Sequence, residues 1–311
     1  MRPTSISSAN KEYFFLFFHQ LKLENNLSSI KDIKNQLNFE MPYDKKEPLF
    51  VNPLEASKGL TINDLNKYLP ALQSVDDLTM SKDEMRDGMF RGLGINGLKK
   101  IPDNSIDLII TDPPESPRKN YDERQGPITI QEYFEWNEAW LAESYRILKE
   151  TGAIYILCSW RYSGMYHSLL SNQFQLQSRI SWINENAKDQ PKLPIWRNNL
   201  SDIWFATKSN EFMFNQKPVS ELSAGEKSDT NFWGDIMSFE TPAELNMPED
   251  KPNAVIERLL RASSFKLNWI VDPFARTGGI GIVAKKMGRR FIGFEVDKDK
   301  LVLAMKRIDS E

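Results

Sequence analysis

Apolar and polar positions along the 311-residue chain fall into two textures. From Met89 onward, short β-branched and aliphatic runs alternate with longer segments in which apolar residues recur every three or four positions. That alternation is the pattern of a sheet layered by helices. It predicts strands near 106–111, 153–158, 177–183, 202–207, 268–272 and 291–295, and helices near 130–149, 163–172, 251–263, 279–288 and 297–308. Over 130–149, Tyr133, Trp136, Trp140, Leu141, Ser144 and Leu148 share one helical stripe, which reads as a core-facing surface and not as a ligand box. The first 80 or so residues differ: they are rich in amides, with two predicted helices, 10–22 and 27–38, and then segments punctuated by Pro and Gly. The chain is therefore expected to carry an N-terminal extension over 1–85, helical or irregular, ahead of an α/β domain over 86–311. Inside that domain the polar stretch 216–250 is long for a connection, and long connections are usually functional or mobile.

Composition narrows the classes. With 40% hydrophobic, 11% aromatic and 27% charged residues the chain is an ordinary globular one. Its longest aromatic run, EYFFLFF at 12–18, is far shorter than the ~20 apolar residues a membrane helix requires, and no secretory signal is visible. The expectation is a cytoplasmic protein with no membrane partner. A single cysteine, Cys158, excludes an intramolecular disulfide, and with only His19 and His167 beside it there is no Cys/His zinc cluster; a carboxylate-only site is left open but nothing marks one, and no metal is expected. The formal net charge of −3 means that any surface for nucleic acid must be local. KKMGRR at 285–290, SPRKNYDER at 116–124 and the stretch 188–197 are the basic candidates, although each alone reads more readily as solvated surface.

Two stretches carry chemistry. NWIVDPFARTGGIGIVAKKMGRRFIGFEVD, residues 268–297, runs strand, glycine-containing turn, helix, second strand, acidic residue. This order cradles nucleoside cofactors in doubly wound folds: the turn offers backbone N–H groups, and the carboxylate ending the second strand, Glu295, can accept both ribose hydroxyl protons. The other stretch is DLIITDPPE, 107–115. Proline removes the N–H groups that would continue a ladder, so the strand ends with the Asp112 carboxylate and the Pro113 carbonyl beyond the sheet edge. Two such acceptors can hold an amino group. An exocyclic amine on a heteroaromatic ring is a poor nucleophile because its lone pair is delocalised. Binding both its protons draws the nitrogen toward a tetrahedral geometry suited to in-line attack on a methyl sulfonium.

Taken together, residues 89–308 resemble the amino-methylating DNA methyltransferases of the permuted β class, in which Asp-Pro-Pro precedes the cofactor loop. The resemblance rests on GLKKIPDNSIDLIITDPP, YFEWNEAWLAESYRILKETGAIYILCSW, RNNLSDIWFATKSNEFMFN, and DKPNAVIERLL followed by VDPF and GRRFIGFEVD. It implies a Rossmann-like S-adenosylmethionine-dependent methyltransferase sheet with helices on both faces, acting on a base flipped out of duplex DNA, as in restriction-modification. It also implies roles. Asp112, Pro113, Pro114 and Glu115 occupy the catalytic motif; Asp272, Phe274, Ala275, Thr277, Gly278, Glu295 and Lys251 occupy cofactor-binding positions. Asp before Pro-Pro resembles the adenine N6 branch more than the cytosine N4 branch. The stretch 216–250 becomes the candidate for target recognition, and family analogy adds a homodimer, or a heterodimer with an active methyltransferase, to DNA as partners.

Four departures fall on functional positions. Glu115 stands where the family usually has a Tyr that stacks on the flipped base, and beside Asp112 it adds a like charge. Arg276 replaces the first glycine of the cofactor loop, while Gly278 is kept. Leu93 replaces a carboxylate that contacts adenosine. MPEDKP, 247–252, keeps Pro248, Lys251 and Pro252 of an element before the last helices but loses its polar residues. The sequence thus implies an adenine-N6 DNA methyltransferase. The alternatives are a non-catalytic methyltransferase-like subunit that binds nucleic acid or an active partner, and a methyltransferase for RNA adenine or a protein glutamine.

Overall fold

The structure is a computed structural model that describes residues 60–114, 128–183, 196, 198–216, 230–236 and 252–311. In chain order the elements are α1 (Ile62–Tyr68), β1 (Gly88–Arg91), α2 (Gly94–Leu98), β2 (Ile106–Thr111), α3 (Ile130–Ile147), β3 (Leu148–Ser159), α4 (Trp160–Gln173), β4 (Gln175–Ile183), β5 (Leu200–Thr207), β6 (Phe232–Trp233), α5 (Asn253–Ser263), β7 (Trp269–Asp272), α6 (Gly279–Lys286), β8 (Arg290–Glu295) and α7 (Lys298–Asp309). The predicted helices at 10–22 and 27–38 lie outside the described residues.

The eight strands form one mixed sheet in the order β1-β8-β7-β2-β3-β5-β4-β6. From β1 to β3 every neighbour is parallel, whereas β5 runs antiparallel to both β3 and β4. All five carboxyl ends of the parallel half therefore emerge at one edge. Successive residues of the central strands point to opposite faces, and each face is covered by helices. Ile154, Ile156 and Cys158 of β3 join Trp140, Leu141 and Tyr166 of α3 and α4. Their neighbours Ala153, Tyr155 and Leu157 join Val255, Ile256, Leu259, Val283 and Leu301 of α5, α6 and α7.

Local signals explain the helix limits. Thr129 caps α3 through a reciprocal capping box with Glu132, and Asp297 caps α7 by accepting from the N–H groups of Asp299 and Lys300. The stripe of α3 is core: Tyr133, Trp140, Leu141 and Ser144 are buried. Leu148 continues the helical spacing but begins β3, pairing with Ile106.

Residues 60–85 are not detached from the α/β domain. Leu60 and Tyr68 pack with Val302 and Leu303 of α7, Lys306 pairs with Asp64 at 2.8 Å, and Val75 hydrogen-bonds along β1 by donating to the Arg91 carbonyl. Within 216–250, residues 230–236 add β6 to the sheet beside β4. Arg258 of α5, buried, grips Asp235 with both terminal guanidinium nitrogens and lies over the Trp233 ring. That pair holds the Asp235 carboxyl below the usual carboxylate range.

Candidate active site

The carboxyl edge of the parallel half brings four chain segments together. Register sets them: Arg91 lies beside Glu295, Asp272 beside Gly293, and Ile109 beside Val271. Asp112 follows β2 directly, the turn 273–278 follows β7, and Glu295 ends β8. Ligands in open α/β sheets bind outside this edge.

The turn after β7 is tightly specified. Asp272 is buried; one of its oxygens accepts from the Thr111 hydroxyl at 2.7 Å and from the Phe274 N–H at 3.0 Å. Burial pushes its carboxyl up to about 7, against the pull of those two bonds; the neighbouring Asp112 charge adds to the rise and Arg276 opposes it. Ala275 is buried in the apolar cluster and its N–H donates to the Phe294 carbonyl at 3.0 Å. Phe274 packs against two tryptophans of α3, its ring centroid 5.2 Å from Trp136 and 5.4 Å from Trp140. Thr277 is buried, and its carbonyl accepts from Arg307 of α7 at 2.7 Å.

Gly278 caps α6 in the left-handed region, φ 81, with no side-chain cap over the first turn. A Cβ there would lie 3.0 Å from Ala304, so glycine answers both the dihedral and the close approach of α7. The first turn of a helix leaves N–H groups without intrahelical acceptors, which suits an anionic or carbonyl group of a ligand. From the other side α2 abuts the same turn: a Cβ on Gly94 would lie 2.2 Å from the Pro273 carbonyl oxygen. Leu93 caps α2 and offers no side-chain bond to it.

At the neighbouring strand end, Glu295 accepts from the Asp297 N–H at 2.8 Å, while its carbonyl accepts from Gly92 at 3.0 Å. Burial raises the pKa of the Glu295 carboxyl.

Asp112 and Pro113 are buried, and Pro114 is half-buried with its carbonyl accepting from the Tyr133 hydroxyl at 2.7 Å. The side chain of Arg276 reaches from the β7 turn to the β2 end. Its Nη1 lies 3.1 Å from Asp112 Oδ2, and its Nη2 donates to the Asp112 carbonyl at 3.2 Å. Arg276 does this from a backbone φ of 48, the left-handed conformation that a glycine would adopt without strain. Of the residues singled out in the sequence, the structure thus brings Asp112, Pro113, Pro114, Asp272, Phe274, Ala275, Thr277, Gly278 and Glu295 to one edge, with Leu93 and Arg276 among them. Glu115 and Lys251 lie outside the described residues.

Sequence reasoning passed over three contributors. Thr111 clamps Asp272, Tyr133 clamps Pro114, and Trp136 of the core stripe turns to Phe274 of the loop. A threonine at the last strand position before Asp-Pro-Pro was the one local signal available. Among rings that could stand in for the missing tyrosine, Trp160 is 54% exposed at the carboxyl end of β3, on this same edge. Trp196 is almost fully exposed.

A sheet of this topology, with a glycine-capped turn after one strand and a carboxylate ending the next, defines a nucleoside-cofactor site of the S-adenosylmethionine-dependent methyltransferase class. The DNA methylase family profile for N6/N4 methyltransferases matches residues 106–306, and the chain belongs to that family. It is 31% identical over 229 residues to the type II methyltransferase M.HpaI of Haemophilus parainfluenzae, spanning 70% of this chain and 72% of that one. It is 27% identical over 241 residues to the DNA adenine methyltransferase YhdJ of Escherichia coli K12, spanning 71% and 82%. Among solved structures, the cytosine-N4-specific PvuII DNA methyltransferase superposes with a TM-score of 0.58 at 19% identity over 72% of this chain and 86% of that one. The M1.HpyAVI complex with S-adenosylmethionine superposes with a TM-score of 0.54 at 21% identity, over 71% and 98%. At these identities the superpositions speak for the fold. The family's cofactor is S-adenosylmethionine, and the adenosine half of the site fits it: a buried-edge carboxylate at Glu295, a glycine-capped helix start at Gly278, and a turn closed by Gly94.

Proposed function

We propose that the protein methylates the exocyclic N6 amine of adenine in DNA. The observation that carries the reading is Asp112 followed by Pro113-Pro114 at the end of β2, with its carboxylate facing the turn of the cofactor site through Arg276. Asp in that position resembles the adenine branch of the family, and a DNA adenine methyltransferase is among the relatives. When bound, S-adenosylmethionine supplies an electrophilic methyl group. The chain's own residues do the rest. Glu295 accepts from the ribose hydroxyls, and Gly278 with the start of α6 supports the amino-acid end. Asp112 and the Pro113 carbonyl accept the two amine protons of the extruded base, orienting its nitrogen lone pair for attack. Trp160 is positioned to supply the stacking surface that Glu115 lacks, and 216–250 together with Lys251 would contact DNA and the cofactor edge.

Nucleoside analysis of DNA incubated with the protein and S-adenosylmethionine tests this. N6-methyladenine that disappears in Asp112→Ala is the expected result. N4-methylcytosine as product would overturn the adenine assignment.

One observation favours a second reading, that of a binding subunit paired with an active methyltransferase or with a second copy of this chain. Arg276 engages the carboxylate on which amine binding depends. In that case the isolated protein leaves DNA unmethylated, and Arg276→Gly, which restores the loop glycine, gains transfer.

A further inference from the structure

Asp112 is the group that must face both amine and methyl donor, so whatever touches its carboxylate stands at the junction of the two ligands. Here that group is the Arg276 guanidinium, 3.1 Å away, with its side chain 24% exposed. The same cation acts favourably on Asp272 and on Glu295, so it lies within electrostatic reach of three carboxylates of the site. Arginine stays charged under all working conditions. The loop holds it there at φ 48, where a glycine would bring no charge at all.

S-adenosylmethionine carries a sulfonium, and its demethylated product, S-adenosylhomocysteine, carries a neutral thioether in its place. A site whose carboxylates are unneutralised favours the sulfonium. A site already holding a guanidinium does not, because two cations in a partly buried space repel strongly. We infer that Arg276 takes the place of the sulfonium charge in this pocket and sets the site's preference toward adenosine thioethers, whose sulfur is neutral, over the methyl donor. The inference rests on the 272–278 turn being the cofactor cradle.

Calorimetric titration of the full-length protein with S-adenosylmethionine, S-adenosylhomocysteine and an unreactive analogue bearing an ammonium in place of the sulfonium tests it without recourse to activity. The parent is expected to bind the thioether at least about tenfold more tightly than either cation, a ratio that corresponds to ~1.4 kcal/mol. Arg276→Lys keeps the charge and should keep the preference. Arg276→Gln keeps an unbranched polar side chain, shorter and without the charge, and should bring the ratio to one or reverse it. Two results would overturn the inference and leave the cradle standing: equal affinities in the parent, or a preference that survives in Arg276→Gln and vanishes only in Arg276→Gly, which would make crowding the cause. Binding of none of the three ligands to the parent or to any variant would overturn the cradle as well.

Discussion

The two neighbouring strand ends proposed to hold the cofactor are built differently. After β8, Glu295 stands as a carboxylate with one local backbone bond, beside a loop closed by Gly92 and Gly94. After β7, one step along the sheet, Asp272 is spent on holding the turn together, and the exposed chemistry is that of Arg276. The end assigned to adenosine thus presents an acceptor, and the end assigned to the methionine moiety presents a cation. Both sit on the same frame, and the glycines that permit close approach remain at both. Gly94 is held against Pro273 of the turn, and Gly278 against Ala304 and Ile308 of α7. The Arg276 side chain instead crosses from this turn to the end of β2, where it meets Asp112.

The largest effect expected from disturbing this arrangement comes from the contact that joins the two ends. Gly94→Ala would set a methyl 2.2 Å from the Pro273 carbonyl oxygen, a backbone atom that cannot swing away. Either α2 or the turn must move. A loss of about 3 kcal/mol or more is expected, beyond the usual 1–3 kcal/mol of overpacking, read by denaturant unfolding. Affinity for any adenosine ligand should fall with it. Unchanged stability would mean that the two ends are independent.

Next, Glu295→Gln separates affinity from discrimination. It removes a charged acceptor whose hydrogen bonds are each worth about 1.5–3 kcal/mol. Binding of S-adenosylmethionine and of S-adenosylhomocysteine should weaken by similar factors, about ten- to a hundredfold. Arg276 variants should instead change the ratio between the two. If Glu295→Gln changed the ratio and left the mean affinity alone, the assignment of the two ends would be reversed.

The contrast between frame and ligand space also explains what could be read in the sequence. Six strands announce themselves as short runs rich in apolar and β-branched residues, continuous where both faces are covered. β1 and α2 do not: Gly88–Arg91 has two apolar residues, and Gly94–Leu98 is a five-residue helix with two glycines. Those glycines disfavour a helix locally and are required globally, since a Cβ at Gly97 would meet the Phe294 ring at 2.3 Å. The end of α3 was overrun because Leu148 satisfies both the helical stripe and the pairing with Ile106. In the site, Asp112, Gly278 and Glu295 were legible as motifs. The ion pair between Arg276 and Asp112 was not, because it joins residues 164 apart and depends on where a flexible side chain points.

Acidity offers a third test. The Asp272 carboxyl is raised to about 7 in the folded protein, well above its ordinary value of 3.8. Between these two values the folded state holds more protons than the unfolded one, so stability falls as pH rises and reaches its full penalty above 7. Three units would set a ceiling of ~4 kcal/mol, and a buried site with an effective dielectric near 20 should show less, about 1–2 kcal/mol. Asp272→Asn keeps an oxygen for Thr111 and Phe274 and removes the charge. It should match the parent at pH 4 and exceed it at pH 8. A parent and variant whose unfolding curves run parallel from pH 4 to 8 would show that Asp272 stays ionised throughout, with Arg276 supplying more compensation than burial removes.

The smallest effect lies at the other end of β7. Leu267, two residues before the strand, has φ 68 and is 67% exposed, with its N–H donating to the Gly288 carbonyl. It shares with Arg276 the left-handed conformation that costs a non-glycine residue about 1–2 kcal/mol. Unlike Arg276 it has no contact with a carboxylate of the site among the described residues. Leu267→Gly keeps the N–H and relieves the dihedral, against the greater entropy of glycine in the unfolded chain. The net gain should be about 0.5 kcal/mol, visible as a small rise in Tm, with the ratio of thioether to sulfonium binding unchanged. Arg276→Gly relieves the same strain but loses the pair with Asp112, so its Tm should rise less or fall while the binding ratio moves. If both substitutions raised Tm equally and neither altered binding, the guanidinium would be contributing nothing to the site, and the difference between the two ends of the cofactor pocket would be one of shape alone.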